Sequence, residues 1–214
     1  MIKLHKFPEP DILKTNKAEW TERYSEYINK GQPIPESLKY KYRDPQVKQI
    51  ILEETHEKCV YCESKVTHVY PGDVEHIFPK SKKPEFIFEW LNLTFSCLEC
   101  NRRKSDYYDQ NMPLINPYED EPADHFFFAG PMISHRPESD RGRLTRKRLD
   151  LNRPPLIERR TERLESIVNL IDLYEKCSEA LGKEALLNEL IREAEEDKEY
   201  AYMVQTFLQS RNII

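Results

Sequence analysis

The stretch that decides the fold reads CVYC at 59–62, DVEHIFPK at 73–80, NL at 92–93 and CLECNRRK at 97–104. Two Cys-x-x-Cys pairs separated by a few tens of residues can converge on one tetrahedral zinc ion, each pair supplying two thiolates from a tight turn. We therefore predict one structural Zn²⁺ bound by four cysteines: Cys59, Cys62, Cys97 and Cys100. A closed site of four thiolates leaves the ion no open position, so any chemistry must come from nearby side chains.

Four polar side chains stand between or just after the cysteine pairs: Glu75, His76, Asn92 and Asn101. Phosphodiester hydrolysis needs an activated water, a cation that neutralises charge on phosphorus, and help for the leaving 3′ oxygen. Histidine is the natural base near neutral pH. The Glu75 carboxylate and the Asn101 amide oxygen would suit Mg²⁺ or Mn²⁺. Asn101 could instead only cap the helix that follows the second cysteine pair.

This arrangement resembles the HNH, or ββα-metal, endonuclease family in its zinc-knuckle branch, whose pattern is CxxC, [DE]H-x-x-P, N-L and CxxC-[NH]-x-x-K. The resemblance covers about residues 56–108. It implies that His76 is the general base, that Glu75 and Asn101 bind the catalytic ion, and that the Asn92 side chain ties the long loop together. The family more often has Asp at the position of Glu75, which leaves Asp73 open as an alternative ligand.

A wider resemblance rests on YCE after the first cysteine pair, EHIFPK, WLNL, SCLECNRRK and the later LDLNRPPLIERR. These segments are similar to the HNH subunits of Septu-type and retron-associated bacterial anti-phage systems. The resemblance implies a DNA substrate and an ABC-type ATPase partner.

Composition restricts the class of protein. The chain has 214 residues, a formal net charge of -5, 38% hydrophobic and 33% charged residues, which is typical of a soluble globular protein. The first thirty residues contain no apolar signal-peptide core, and no run of eighteen apolar residues occurs. We therefore expect a cytoplasmic protein without membrane contact. Four of the five cysteines lie in the two pairs, which fits a reducing compartment.

Basic residues are segregated from the acidic ones. Four of them flank the motif and are predicted to contact nucleic acid, namely Lys80, Arg102, Arg103 and Lys104, although a purely solvated face remains an alternative. A second basic cluster, residues 141–160, could contact DNA, an acidic partner or the chain's own acidic helices.

The predicted architecture is α+β, with a zinc-knuckle ββα core flanked by helices. Its predicted parts are an N-terminal arm and helices (1–55), the HNH core with its four-cysteine zinc site (56–108), an irregular connecting region (109–153) and a C-terminal helical hairpin (154–214). In detail, the arm is expected to be extended over 1–16, with a helix from Lys17 to Gly31 and another from Pro45 that Asp44 caps. Strands are expected at 65–70, 73–78 and 91–96. Pro154 opens a long helix that Gly182 interrupts.

Two classes of function fit the sequence. The first is an HNH nuclease that cuts DNA as part of a defence complex. The second is a catalytically inactive, zinc-supported nucleic-acid-binding or adaptor subunit. The intact Glu-His, Asn and Asn set favours the first class, because a binding module needs no base beside a metal-binding carboxylate.

Overall fold

The computed structural model describes residues 1–214, in which helices and short strands alternate. The helices are α1 (Asp11–Asn29), α2 (Glu36–Lys39), α3 (Pro45–Glu54), α4 (Leu98–Lys104), α5 (Pro122–His125), α6 (Asp140–Arg148), α7 (Pro154–Lys176), α8 (Ala180–Glu193) and α9 (Ala201–Ser210). The strands are β1 (Asp73–His76), β2 (Leu93–Ser96), β3 (Phe126–Ala129) and β4 (Met132–His135). The predicted α+β class is confirmed.

The centre of the molecule is the antiparallel pair of β1 and β2, followed at once by α4. Asp73 lies opposite Ser96, and His76 lies opposite Leu93. All four residues of β2 are buried, and α4 contacts β1. The chain therefore contains the predicted ββα unit, with both strands shorter than the six residues expected for each.

Helices α1 and α3 cover one side of this unit. Their core contains Trp20 and Tyr24, whose rings meet the edge of Phe88 at centroid distances of 5.7 and 5.9 Å. Asp44 caps α3 as predicted, because its side chain accepts a hydrogen bond from the backbone N–H of Gln46. Helix α1 begins at Asp11 and not at Lys17, since the extended Pro10 already provides its first boundary.

The C-terminal helices form a second core that also contains the four cysteines. Helices α7 and α8 pack as the predicted hairpin, but they are joined through residues 177–179, and Gly182 lies inside the first turn of α8. The third helix, α9, was not separated from α8 by the sequence pattern. Its apolar face is fully buried. No helix in the structure combines the length and apolar composition that crossing a membrane requires.

Two other expectations were wrong. Residues 65–70 form turns, and Lys65 makes only one isolated bridge, with Lys58; the alternation of apolar residues had no partner strand to pair with. The region 109–153, expected to be irregular, contains α5, α6 and the hairpin of β3 with β4. Its prolines shorten these elements without preventing them.

Candidate active site and four-cysteine cluster

The four cysteines converge at one end of the ββα unit. Their Sγ atoms all lie within 4.8 Å of one another, and all four residues are buried. A tetrahedron with Zn–S bonds of about 2.3 Å spaces its sulfurs roughly 3.8 Å apart, and the Sγ atoms of Cys62 and Cys97 are 3.9 Å apart. Cys97 also caps α4, its Sγ accepting from the N–H of Cys100 at 3.4 Å. The donor set and its convergence fit one zinc ion.

An arginine of the basic cluster 141–160 lies beside the cysteines. The Nη2 of Arg153 is 3.6 Å from the Cys100 Sγ and 3.9 Å from the Cys97 Sγ, where it can offset thiolate charge. Arg160 is 1% exposed and donates to the Leu151 carbonyl at 2.7 Å. Arg141 pairs with both carboxylate oxygens of Asp120. Arg153 and Arg160 therefore serve the interior. Arg159 of the same cluster pairs with Glu162 and Glu199, which agrees with the expectation that the cluster could contact the chain's own acidic C-terminal region.

The second site is built on strand β1, which carries Glu75 and His76. His76 is buried against the Tyr42 ring, with a centroid distance of 4.5 Å. Its Nε2 lies 3.0 Å from the Ile87 carbonyl oxygen. A carbonyl only accepts hydrogen bonds, so Nε2 carries the proton and Nδ1 keeps its lone pair. Burial lowers the pKa of His76 to about 3, so the ring is neutral near pH 7.

Asn92 closes the loop that joins the two strands. Its Oδ1 accepts from the N–H of Phe78 at 2.6 Å, and its Nδ2 donates to the carbonyls of Phe78 and Phe86, both at 3.1 Å. One side chain thus joins both ends of residues 78–92. Because the same loop carries Ile87, Asn92 also supports the carbonyl that orients His76.

Glu75 precedes His76 on β1 and meets Lys104 from α4. The Lys104 Nζ is 2.7 Å from Glu75 Oε1, and the side chains are 3% and 7% exposed. The same Nζ donates to the His76 carbonyl at 2.8 Å. Burial raises the pKa of Glu75, and the Lys104 charge opposes that rise. Lys104, predicted to contact nucleic acid, is instead buried at the carboxylate, because the last turn of α4 directs it inward.

Asn101 contacts Asp73, and not Glu75. Its Nδ2 donates to Asp73 Oδ2 at 2.9 Å, while the Tyr70 hydroxyl donates to Asp73 Oδ1 at 2.9 Å. A carboxylate only accepts, so the Asn101 amide nitrogen must face Asp73 and its Oδ1 must face away. Cys97 is the cap of α4, which leaves the Asn101 side chain without the capping role considered above.

Glu75, His76 and Asn101 line one cleft of about 460 Å³, and Asn92 and Asp73 lie outside its lining. Tyr42, Arg43 and Lys80 line it too, and so does Arg102. Arg102 and Arg103 reach the same Glu99 carboxylate at 2.9 and 2.7 Å. Tyr42 and Arg43 were missed from the sequence, although KYKYR at 39–43 alternates basic and aromatic residues in a way that suits nucleic acid.

Comparison with known proteins agrees with this geometry. The HNH endonuclease family model matches residues 59–107. A Septu protein PtuB of Bacillus thuringiensis is 32% identical over 126 residues, which cover 58% of this chain and 45% of that protein. A Septu protein PtuB of Bacillus mycoides (strain KBAB4) is 26% identical over 196 residues, covering 76% of this chain and 66% of that protein.

The chain thus spans between about half and two thirds of the length of these curated relatives. The matched family segment begins at the first cysteine and ends three residues after α4, so it contains both the cysteine cluster and Glu75, His76 and Asn101 of the cleft. Residues 59–107 therefore match the HNH endonuclease family model, in a chain that is similar to Septu proteins PtuB.

Proposed function

We propose that the chain is a metal-dependent endonuclease that hydrolyses DNA phosphodiester bonds, with His76 as the general base. The observation that carries this proposal is the hydrogen bond from His76 Nε2 to the Ile87 carbonyl. It fixes the tautomer, so that Nδ1 can take a proton from water. A neutral ring is needed for this step, and burial keeps the ring neutral by lowering its pKa.

Two oxygen donors beside His76 suit a divalent cation. The Glu75 carboxylate and the Asn101 Oδ1 are hard ligands of the kind that Mg²⁺ and Mn²⁺ prefer, and both residues line the cleft. Such an ion supplies charge neutralisation at the phosphate and at the leaving oxygen. The Asp73 carboxylate accepts hydrogen bonds from Tyr70 and Asn101. Its role in this site is therefore to position the Asn101 amide. The four cysteines hold a separate, structural Zn²⁺.

The test is cleavage of supercoiled plasmid DNA by purified protein with Mg²⁺, Mn²⁺ or EDTA. We expect nicking with either metal ion and none with EDTA. His76→Ala should lower the rate about 10² to 10⁴-fold. His68→Ala is the matched control, because His68 is exposed and outside the cleft. A His76 variant that cuts at the wild-type rate would contradict the assignment.

The second candidate, an adaptor without catalysis, draws on the contact of Lys104 with Glu75. An ammonium group already sits on the carboxylate that would bind the metal ion. If the wild-type protein binds DNA but cuts none under any metal condition, with or without a partner, this candidate is favoured.

A partner subunit follows from the similarity to Septu proteins. We propose an ABC-type ATPase, within a bacterial anti-phage complex, docked on the hairpin of α7 and α8. Leu173 and Leu181 are 58% and 74% exposed on these helices.

Helix α9 is buried in the core, so deleting it would unfold the protein, and surface changes test docking better. Leu173→Glu with Leu181→Glu should abolish co-elution with the co-expressed ATPase in gel filtration. Co-elution that survives both changes would contradict this docking face.

A further inference from the structure

The turn at Lys41–Arg43 lies outside the matched segment 59–107, yet it forms one wall of the cleft. Tyr42 is 1% exposed, and its ring packs on the ring of His76. The turn is therefore fixed against the general base. Its neighbour Arg43 is exposed and lines the same cleft.

Arg43 is exposed but well positioned. Its guanidinium carbon lies 4.8 Å from the centroid of the Tyr40 ring and 5.5 Å from that of the Tyr42 ring. Contact with two aromatic faces restricts the side chain through cation–π attraction. No carboxylate lies within ion-pair distance of Arg43, whereas Arg102, which also lines the cleft, shares Glu99 with Arg103.

Lys80 reaches the same tyrosine from the other direction. Its Nζ donates to the Tyr42 hydroxyl at 2.7 Å and lies 4.7 Å from the ring centroid. It too has no carboxylate partner, although it is half-buried. Two cations without a carboxylate partner thus contact Tyr42, and both line the cleft.

We propose that Arg43 and Lys80, both positioned by Tyr42, form a phosphate-binding wall that holds the DNA backbone beside the bond to be cut. This inference rests on the proposed function, which places the scissile phosphate at His76. A guanidinium group matches two phosphate oxygens at once, and a restricted side chain loses less freedom on binding. The chain carries a net charge of -5, so backbone affinity must come from local positive walls such as this one.

The inference is tested by the equilibrium binding of a short fluorescent DNA duplex, measured by anisotropy over a series of salt concentrations. The protein carries His76→Ala to prevent cleavage. Arg43→Gln should weaken binding roughly tenfold and lower the slope of log K against log salt by about 1. Arg43→Lys should retain part of the affinity, because it keeps the charge and loses the planar fork.

The matched control is Lys41→Gln. Lys41 is exposed in the same turn, but its Nζ lies over Trp20 at 5.1 Å from the ring centroid, and it does not line the cleft. We expect the Lys41→Gln variant to keep the DNA affinity and the salt slope of the parent protein. In protein with His76 intact, Arg43→Gln should also lower kcat/KM roughly tenfold, which provides a second readout if the His76→Ala background folds poorly.

The outcomes separate this inference from the function on which it rests. If wild-type protein cuts DNA and His76→Ala does not, while Arg43→Gln binds like Lys41→Gln, the phosphate wall is wrong and the nuclease stands. If an unlabelled acidic peptide displaces the duplex from wild-type protein but not from Arg43→Gln, the wall recognises carboxylates and the inference is also overturned. Selective loss of DNA affinity and salt slope in Arg43→Gln supports it.

Discussion

The four-cysteine cluster and the His76 cleft share helix α4, where the adjacent residues Cys100 and Asn101 serve one site each. In the cluster, four buried thiols converge, and Arg153 is the cation in contact with their sulfurs. In the cleft, each of the three side chains already contacts a protein group: Glu75 contacts Lys104, His76 contacts Ile87, and Asn101 contacts Asp73. We therefore expect the cluster to need a metal ion in order to fold, whereas the side chains of the cleft are held in place by protein contacts alone.

Replacing a cluster cysteine should have the largest effect. Cys97→Ser removes one zinc ligand and the sulfur cap of α4. Structural zinc is coupled to folding by on the order of 10 kcal/mol, comparable to the whole stability of a domain. We expect loss of both zinc and the cooperative thermal transition. Cys177→Ser is the control, because this half-buried fifth cysteine lies outside the cluster. A Cys97→Ser protein that folds without zinc would contradict the claim that the cluster needs a metal ion in order to fold.

Replacing Lys104, the buried cation beside Glu75, should have a smaller effect on stability. Lys104→Met leaves Glu75 buried beside no positive charge, which typically costs about 3 to 5 kcal/mol. Because an ion bound at Glu75 would replace that charge, Mn²⁺ should raise the melting temperature of this variant more than that of wild-type protein. Equal Mn²⁺ shifts in thermal denaturation would show that Glu75 does not bind the ion.

Asn92→Ala tests the loop, and its effect should be smaller again. The change removes three hydrogen bonds to backbone groups of Phe78 and Phe86, each worth about 1 kcal/mol. We expect a loss of about 2 to 3 kcal/mol in chemical denaturation and faster hydrogen exchange at the Phe78 amide. Asn92→Asp, which retains the acceptor, should protect that amide better than Asn92→Ala does. If both variants exchange alike, Asn92 does not hold the loop.

Asp73→Ala should have the smallest effect on stability and a selective effect on metal binding. Without Asp73 the Asn101 amide is free to rotate, and loss of such a partner typically weakens metal affinity about 10- to 100-fold. Titration calorimetry with Mn²⁺ measures this directly. Asp106→Ala is the control, since Asp106 is an exposed acid of the same cleft without contact to Asn101. Equal losses of Mn²⁺ affinity in the two variants would mean that the negative charge of the cleft, and not the contact with Asn101, sets that affinity.

The sequence predicted the parts whose chemistry is local. The cysteine pairs, the strand DVEH and helix α4 each depend on short spacings that hold in any context. The Asp44 cap of α3 was predicted for the same reason. The strand at 65–70 was wrong because alternation indicates a strand only when a neighbour pairs with it, and Lys65 finds just one bridge.

The contacts that were not predicted from the sequence join residues that are far apart along the chain. Arg153 reaches the sulfurs from more than fifty positions away, and Tyr42 packs on His76 from another part of the chain. Lys104 was predicted to face DNA because it follows two arginines, but helical geometry turns it toward Glu75 instead. Such contacts depend on the tertiary fold, and no spacing rule contains them.

The most direct test of two separate metal sites is one assay on one sample. The protein is dialysed against EDTA, and its zinc content and plasmid-nicking rate are measured before and after Mn²⁺ is added back. The account predicts about one zinc per chain throughout, no nicking after dialysis, and nicking restored by Mn²⁺ without a change in zinc. Nicking that follows zinc content and ignores Mn²⁺ would contradict it.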